Sequence, residues 1–319
     1  MNAMTDHAMM DMDRKIILVT RRTRLQELVA RYNTVEQARF QAEHLGMDFG
    51  DFMLEDTTYQ AAVNAAEICL AQHGRLQRLD RGFLPNFLFP PDVLVVVLGQ
   101  DGLVANTLKY VGQQQVLAVN PDPARFDGVL LPFGMADLPK ILPEVWNGHR
   151  KIREITMARA RLSDGQQLLA VNDFFIGARS HVSARYELSI ADRHERQSSS
   201  GIIVSTGLGS TGWLRSVLTG ASAVAGGEPS RDVVALREKG FAWDARRLVF
   251  SVREPFPSRW SQASLVFGDI VPTSPLRVRS LMPEGGILFS DGIEADGLDF
   301  RSGLEAVIDI AEQRGRLLH

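Results

Sequence analysis

The sequence of 319 residues contains one cysteine, Cys69. A lone thiol excludes an internal disulfide framework and any zinc site built from paired cysteines, and it fits a reducing compartment. Cys69 falls within Ala61–Leu70, an apolar stretch at helical spacing, where a small buried hydrophobe is expected. Long hydrophobic runs are also missing. No stretch approaches the roughly 20 apolar residues that a bilayer-spanning helix needs. Charge of one sign is missing as well: 35 Lys and Arg stand against 38 Asp and Glu, a net charge of −3. That balance gives no basic face for nucleic acid. The seven histidines show no His-x-x-x-His spacing, so no metal site is expected. The start, Met1 to Asp13, is Met-rich and acidic. It lacks the basic start and apolar stretch of a secretory signal and the arginines of a transit peptide. It reads as a short disordered tail on a cytoplasmic protein.

What is present suits an ordinary globular chain. The apolar fraction is 45% and the charged fraction 23%, and the length allows two domains with a substantial core. The first part, 14–148, alternates between β-type and helical stretches. Lys15–Thr20 is a β-branched run, and a helical period follows from Leu25 to about Leu45. A second helix is expected over Tyr59–Ala71. Val93–Leu98 is apolar at every position, as in a strand covered on both faces of a parallel sheet, and Val116–Val119 forms another. This alternation predicts a doubly wound α/β layer.

From 149 to 300 the texture is mostly β. Lys151–Leu162, Gln167–Ala178, Ser183–Ile190 and Gly201–Thr206 read as strands, with a helical interlude from Thr211 to about Gly240. Further short strands run from Arg247 to Ile310, punctuated by turns such as Asp291-Gly292. A last segment, 301–319, is able to return to the first domain.

The chemistry concentrates in three places. Gly99-Gln100-Asp101-Gly102-Leu103 follows the buried strand and precedes a helix expected over Val104–Tyr110. Glycines there let backbone N–H groups approach phosphate oxygens, and a helix N-terminus favours an anion. A carboxylate in such a loop can accept a proton from an attacking hydroxyl. The second place is Asn172-Asp173, a polar pair that reads either as a site within an apolar strand or as a polar turn interrupting two strands. The third is Ser200–Ser216, which contains a literal Gly-x-Gly-x-x-Gly at Gly207, Gly209 and Gly212. A dehydrogenase fingerprint needs a second strand and an acidic residue about 20 positions on. Glu228 has the distance but Ala221–Gly227 is no strand, so that reading fails. A nucleophile elbow fails because position 208 is Leu.

The loop resembles the Gly-Gly-Asp-Gly-Thr motif shared by NAD kinases, diacylglycerol-type lipid kinases and, with variation, phosphofructokinases. Asn172-Asp173 is similar to the Asn-Glu pair of NAD kinases. Ser200–Ser216 resembles their run Asp-Gly-Leu-Ile-Val-Ser-Thr-Pro-Thr-Gly-Ser-Thr-Ala-Tyr-x-x-Ser, which lipid kinases lack. Leu18–Arg24, Asn120–Pro123, Phe250–Pro255 and Ser199-Ser200-Gly201 look like the mitochondrial-type branch. Asp291-Gly292 matches the family's late Asp-Gly turn.

The resemblance implies a Rossmann-like N-terminal domain and a β-sandwich-like C-terminal domain, a site in the cleft between them, and a homo-oligomer, a dimer being favoured. It implies transfer of a phosphoryl group from ATP, or polyphosphate, to the adenosine 2′-hydroxyl of NAD, giving NADP, with Mg²⁺ carried on the phosphates. Asp101 inherits the role of base. Gly99, Gln100 and Gly102 fall on the phosphate-binding positions. Asn172, Asp173, Thr211, Gly212, Trp213 and Ser216 fall on the positions that hold NAD.

Several positions depart, among them Gln100 in place of a glycine, Leu103 of a threonine, Asp173 of a glutamate and Ser200 of the Asp on the nicotinamide side. These departures keep two alternatives open: a nucleotide-binding homologue without transfer, and a kinase for another small hydroxylated acceptor. Arg21, Arg22 and Arg24 read equally as phosphate contacts or as a solvated face, and Arg253 as a site residue or a partner of Glu254.

Overall fold

The computed structural model describes residues 14–226 and 230–319. The tail expected over 1–13 and Glu228 lie outside the described residues. The chain divides into two compact units, one made of the residues up to Arg153 with Arg316–His319, the other of Glu154–Gly315.

Four strands build the first unit: β1 (Lys15–Thr20), β2 (Arg75–Asp80), β3 (Val93–Leu98) and β4 (Gln115–Asn120). They lie in the order β2-β1-β3-β4 and every pair is parallel. On the outer side of β4, the two-residue β5 (Phe133–Gly134) and Leu317 each pair with it in parallel. All six residues of β3 are buried, which explains a strand that is apolar at every position. β2 is the opposite case, an edge strand of sequence RLQRLD with mostly exposed side chains, and it carries no apolar signature.

The helical period after β1 resolves into two helices, α1 (Arg24–Tyr32) and α2 (Val35–His44). They separate because Asn33 takes a left-handed backbone, φ 70, and Thr34 caps the second. α3 (Phe49–Ala71) starts well before Tyr59, where Asp48 caps it through Asp51 N–H. α4 (Asp101–Tyr110) and α5 (Leu138–Trp146) complete the unit. Tyr59, Val63 and Leu70 of α3 and Leu142 of α5 pack on Ile16, Leu18, Leu94, Val96 and Leu117 of the sheet. Each such aliphatic side chain stabilises the unit by about 2 kcal/mol. Cys69 sits at the margin of this cluster, half-buried rather than in the core as expected.

The second unit is a sandwich of two antiparallel sheets. Its strands are β6 (Ile152–Leu162), β7 (Gln167–Ala170), β8 (Asp173–Ala178), β9 (Ala184–Ile190), β10 (Arg193–Ser199) and β11 (Ile202–Ser205). The remainder are β12 (Leu248–Val252), β13 (Phe267–Ile270), β14 (Leu276–Ser280), β15 (Gly286–Ser290), β16 (Ile293–Asp299) and β17 (Glu305–Leu318). One sheet runs β13-β12-β11-β8-β15-β16. The other contains β10-β9-β14-β17, with β6 against β17 and β7 against β6. Phe174, Ile176, Val204, Phe250 and Leu288 of the first sheet meet Tyr186, Leu188, Val278 and Ile308 of the second in the core. The period-2 alternation then turns Asp173 and Phe175 to the opposite face of β8.

The helical interlude is two helices, α6 (Trp213–Ala225) and α7 (Arg231–Lys239), which meet β12 through Leu214, Leu218, Leu236 and Val249. The strand expected over Gln167–Ala178 is broken at Val171-Asn172 into β7 and β8. Among the described residues no helix is long and apolar enough to cross a membrane.

Candidate functional site

In the first unit the chain leaves the buried end of β3 at Gly99, whose N–H donates to Val119 O at 3.3 Å. A Cβ on Gly99 would stand 2.7 Å from Leu103 Cδ2, so glycine and leucine pack as a complementary pair. Leu103 is 1% exposed and belongs to the core beneath the loop. Gln100 is the N-cap of α4 in extended conformation, with no side-chain capping bond. Its carbonyl accepts from Leu103 N–H at 2.8 Å and from Val104 N–H at 3.3 Å. α4 therefore begins at Asp101, not at Val104 as expected. The N–H groups of Asp101 and Gly102 have no carbonyl partner within the helix and carry the positive end of its dipole. Gly102 is exposed, and a Cβ there would meet nothing within 4 Å. The Asp101 carboxylate is engaged: Oδ1 accepts from Leu130 N–H at 2.7 Å.

The arginines after β1 are also committed. Arg21 is 8% exposed, pairs with Glu55 at 2.9 Å and lies over the Tyr59 ring. Tyr59 Oη in turn accepts from Arg21 N–H at 3.0 Å and donates to Leu98 O at 2.8 Å. Arg24 pairs with both Glu55 and Asp51, and Arg125 reaches Asp51 at 2.7 Å. Burial pushes Glu55 up, but hydrogen bonds from Arg24 and Arg21 more than offset it and the carboxyl ends below its usual range. Hydrogen bonds from Arg125 and Arg24 hold Asp51 well below that range. Of the three arginines after β1, only Arg22 is an exposed side chain outside this network.

In the second unit the break between β7 and β8 is held from two sides. On one, Asp291 Oδ1 accepts from Asn172 N–H at 2.6 Å and from Asp173 N–H at 3.2 Å, and both its oxygens lie 3.1 Å from Val171 N. On the other, Thr206 N–H donates to Asn172 O at 2.9 Å and Thr206 Oγ1 to Val171 O at 2.6 Å. Gly209 lies so close that a Cβ would be 2.1 Å from Asn172 O, and one on Gly207 would be 2.1 Å from Ala242 O. These glycines serve backbone packing. The dehydrogenase-like spacing is a by-product of it.

Asp173 is 8% exposed and its carboxyl has no hydrogen-bond partner among the described residues. Burial, followed by the neighbouring Asp291 charge, pushes it up to about 7. The Asn172 side chain is half-buried. A carboxyl and an amide without hydrogen-bond partners among the described residues, placed at a strand end, can receive hydroxyls and the edge of a base.

The segment after β11 turns once through Gly209–Thr211 before α6. Thr211, Gly212 and Ser216 are exposed on it, and Ser216 Oγ lies 3.4 Å from Gly212 O. Trp213 is half-buried, stacked on Phe175 with centroids 5.8 Å apart, and Arg253 lies 5.5 Å from its ring centre. Arg253 is 3.8 Å from Glu254, the pairing expected for it. Beside this stack is a pocket of about 210 Å³ lined by Phe175, His181, Ser200, Arg253 and Glu254.

The sequence alone did not single out Phe175, His181 or the anchoring by Asp291, although Asp291-Gly292 was visible as a turn. Among the described residues no group of three or more His, Cys, Asp or Glu is arranged to hold a metal ion.

No known sequence family matches the chain, and no curated protein matches it in sequence. In structure it is similar to yeast NADH kinase complexed with NADH, with a TM-score of 0.54 and 16% identity over 96% of this chain and 83% of that one. It is similar to an NAD kinase from Archaeoglobus fulgidus in complex with ATP, with a TM-score of 0.54 and 15% identity over 96% of this chain and 93% of that one. At this identity the likeness establishes the fold: a Rossmann-like N-terminal part and an antiparallel β part.

Proposed function

We propose that the chain is a phosphotransferase that moves the γ-phosphoryl group of ATP, or a phosphoryl group of polyphosphate, to the 2′-hydroxyl of the adenosine ribose of NAD, giving NADP. The observation that carries this reading is the Asn172-Asp173 corner. Its backbone is fixed from both sides while its two polar side chains have no hydrogen-bond partner among the described residues. Vicinal ribose hydroxyls suit a carboxylate, which accepts two hydrogen bonds, and the amide suits a base edge. The fold is shared with a kinase holding NADH and with one holding ATP, which supports the same pairing of ligands.

In this reading Gly99, Gln100 and Gly102 present the loop to the donor phosphates, and the dipole of α4 favours their charge. Asn172, Asp173, Thr211, Gly212, Trp213 and Ser216 hold the acceptor. The 2′-oxygen attacks the γ-phosphorus, its proton passes to Asp101, and the bond to the bridging β-γ oxygen breaks to release ADP. Such transfers depend on positioning and charge stabilisation. Mg²⁺ would be carried on the donor phosphates, where it would neutralise their charge, and no step is assigned through it. A cytoplasmic homodimer is the setting we propose.

A second reading, a nucleotide-binding homologue without transfer, is favoured by one observation. An oxygen of the carboxylate assigned as base already accepts from Leu130 N–H.

Calorimetric titration with NAD and then with ATP–Mg²⁺, followed by an assay for NADP, separates the two. For the kinase, Asp101→Asn lowers NADP formation roughly a thousandfold and leaves NAD affinity unchanged. NAD binding with no turnover in the unaltered chain establishes the second reading and ends the first.

A further inference from the structure

We infer that Asp291 is a positioning residue, the anchor that sets Asn172 and Asp173 in place for the acceptor. This rests on the acceptor reading given above.

Asp291 and Gly292 form the two-residue turn between β15 and β16, closed by the pair Ser290↔Ile293, and both have positive φ, 55 and 71. That is the geometry of a type I′ hairpin, for which Asp-Gly is a preferred sequence. The turn is docked as well as closed, because Asp291 N–H donates to Asp173 O at 3.0 Å. Its carboxylate faces the N–H groups of Val171, Asn172 and Asp173 in succession, the closest at 2.6 Å. Three consecutive N–H groups aimed at one point make an anion-binding concavity, and here the protein fills it with its own carboxylate. The backbone between β7 and β8 thus gains partners for groups that a broken strand would leave unpaired.

The arrangement has an electrostatic consequence. Asp291 is the charge acting on the buried Asp173 carboxyl. On the flanking strands Ser205 of β11 is paired with Asp173 and Ser290 of β15 with the next residue, Phe174, and neither is charged. One carboxylate therefore holds the corner by its hydrogen bonds and, by its charge, adds to the upward push that burial gives the neighbouring carboxyl.

Two variants separate these effects. Asp291→Asn keeps an acceptor oxygen and tolerates the left-handed backbone, but removes the charge. Asp291→Gly keeps the turn and removes the anchor. The Asp173 carboxyl is followed by carbon-13 NMR across pH, its signal assigned by its loss in Asp173→Asn, and NAD binding is measured by calorimetry at pH 8. The expected results are an Asp173 midpoint about one pH unit lower in Asp291→Asn and an NAD affinity about tenfold weaker in Asp291→Gly. A midpoint that does not move in folded Asp291→Asn overturns the electrostatic role. Unchanged NAD affinity in folded Asp291→Gly overturns the positioning role. A shifted midpoint in a chain that binds no NAD overturns the acceptor reading while supporting the hold of Asp291 on the pair.

Discussion

The loop after β3 and the corner between β7 and β8 are both strand ends at which a carboxylate meets backbone N–H groups, and they use it in opposite ways. At Gly99–Leu103 the residue expected to do chemistry, Asp101, is itself tied to Leu130 N–H, and the residue in the threonine position has turned inward to pack on Gly99. At Val171–Asp173 a separate residue, Asp291, holds the backbone, and the side chains of Asn172 and Asp173, proposed to hold the acceptor, have no hydrogen-bond partner among the described residues. A site keeps its functional groups available when other residues carry the structural work. By that measure the corner proposed for the acceptor is prepared for a ligand, and the loop proposed for the donor is bound into its own packing.

Three experiments break or sharpen this contrast. The largest effect is expected from Gly209→Ala, which places a Cβ against the Asn172 carbonyl at 2.1 Å where only backbone can yield. It should cost above roughly 4 kcal/mol in urea unfolding, and a loss below 1 kcal/mol would show that the corner is not rigid.

Next is Asp173→Asn. In the folded chain burial and then Asp291 raise this carboxyl from 3.8 to about 7, so the folded state holds a proton that the unfolded chain releases near pH 4. The contribution of Asp173 to stability is full below pH 4 and declines as pH rises to about 7. Asp173→Asn should therefore stabilise the chain by on the order of 3 kcal/mol at pH 8 and by nothing near pH 4. Melting temperatures across that range read the difference, and a uniform gain would refute it.

The smallest effects lie in the donor loop and test it by parts. Leu103→Thr removes a buried side chain from beneath Gly99 and should cost about 2 kcal/mol. Gln100→Gly alters an N-cap without a capping bond, should change stability by less than about 0.5 kcal/mol, and should tighten ATP–Mg²⁺ several-fold. If Leu103→Thr tightens ATP while Gln100→Gly does nothing, the order of causes in the loop is reversed.

Much of this was legible in the residues, and the exceptions share a cause. β3 announced itself because both faces are buried, and the helical period after β1 was visible although its division at Asn33 into α1 and α2 was not. β2 and β10 escaped notice because their sequences, RLQRLD and RHERQSS, leave many side chains in water and give no apolar pattern. The break at Val171-Asn172 was legible as one of two readings, a polar turn interrupting two strands, but what holds it was hidden. Apolar residues continue on both sides of it, and its cause, Asp291, lies 119 positions away from Asn172. The inward turn of Leu103 was equally hidden, since only the contact with Gly99 shows that its side chain belongs to the core. Composition and spacing report what a residue does to its neighbours in sequence. They are silent about a partner supplied by a distant turn.

The pairing of Leu317 with Val116 has a bearing on how the chain comes to be folded. Arg316 reaches the Gln113 carbonyl across 203 positions, and His319 N–H bonds to Lys151 O. The outer side of β4 therefore stays partly unpaired while residues 154–315 are being synthesised. An exposed strand edge of this kind invites association with other chains. On the ribosome, the unit made first is among the last to be finished.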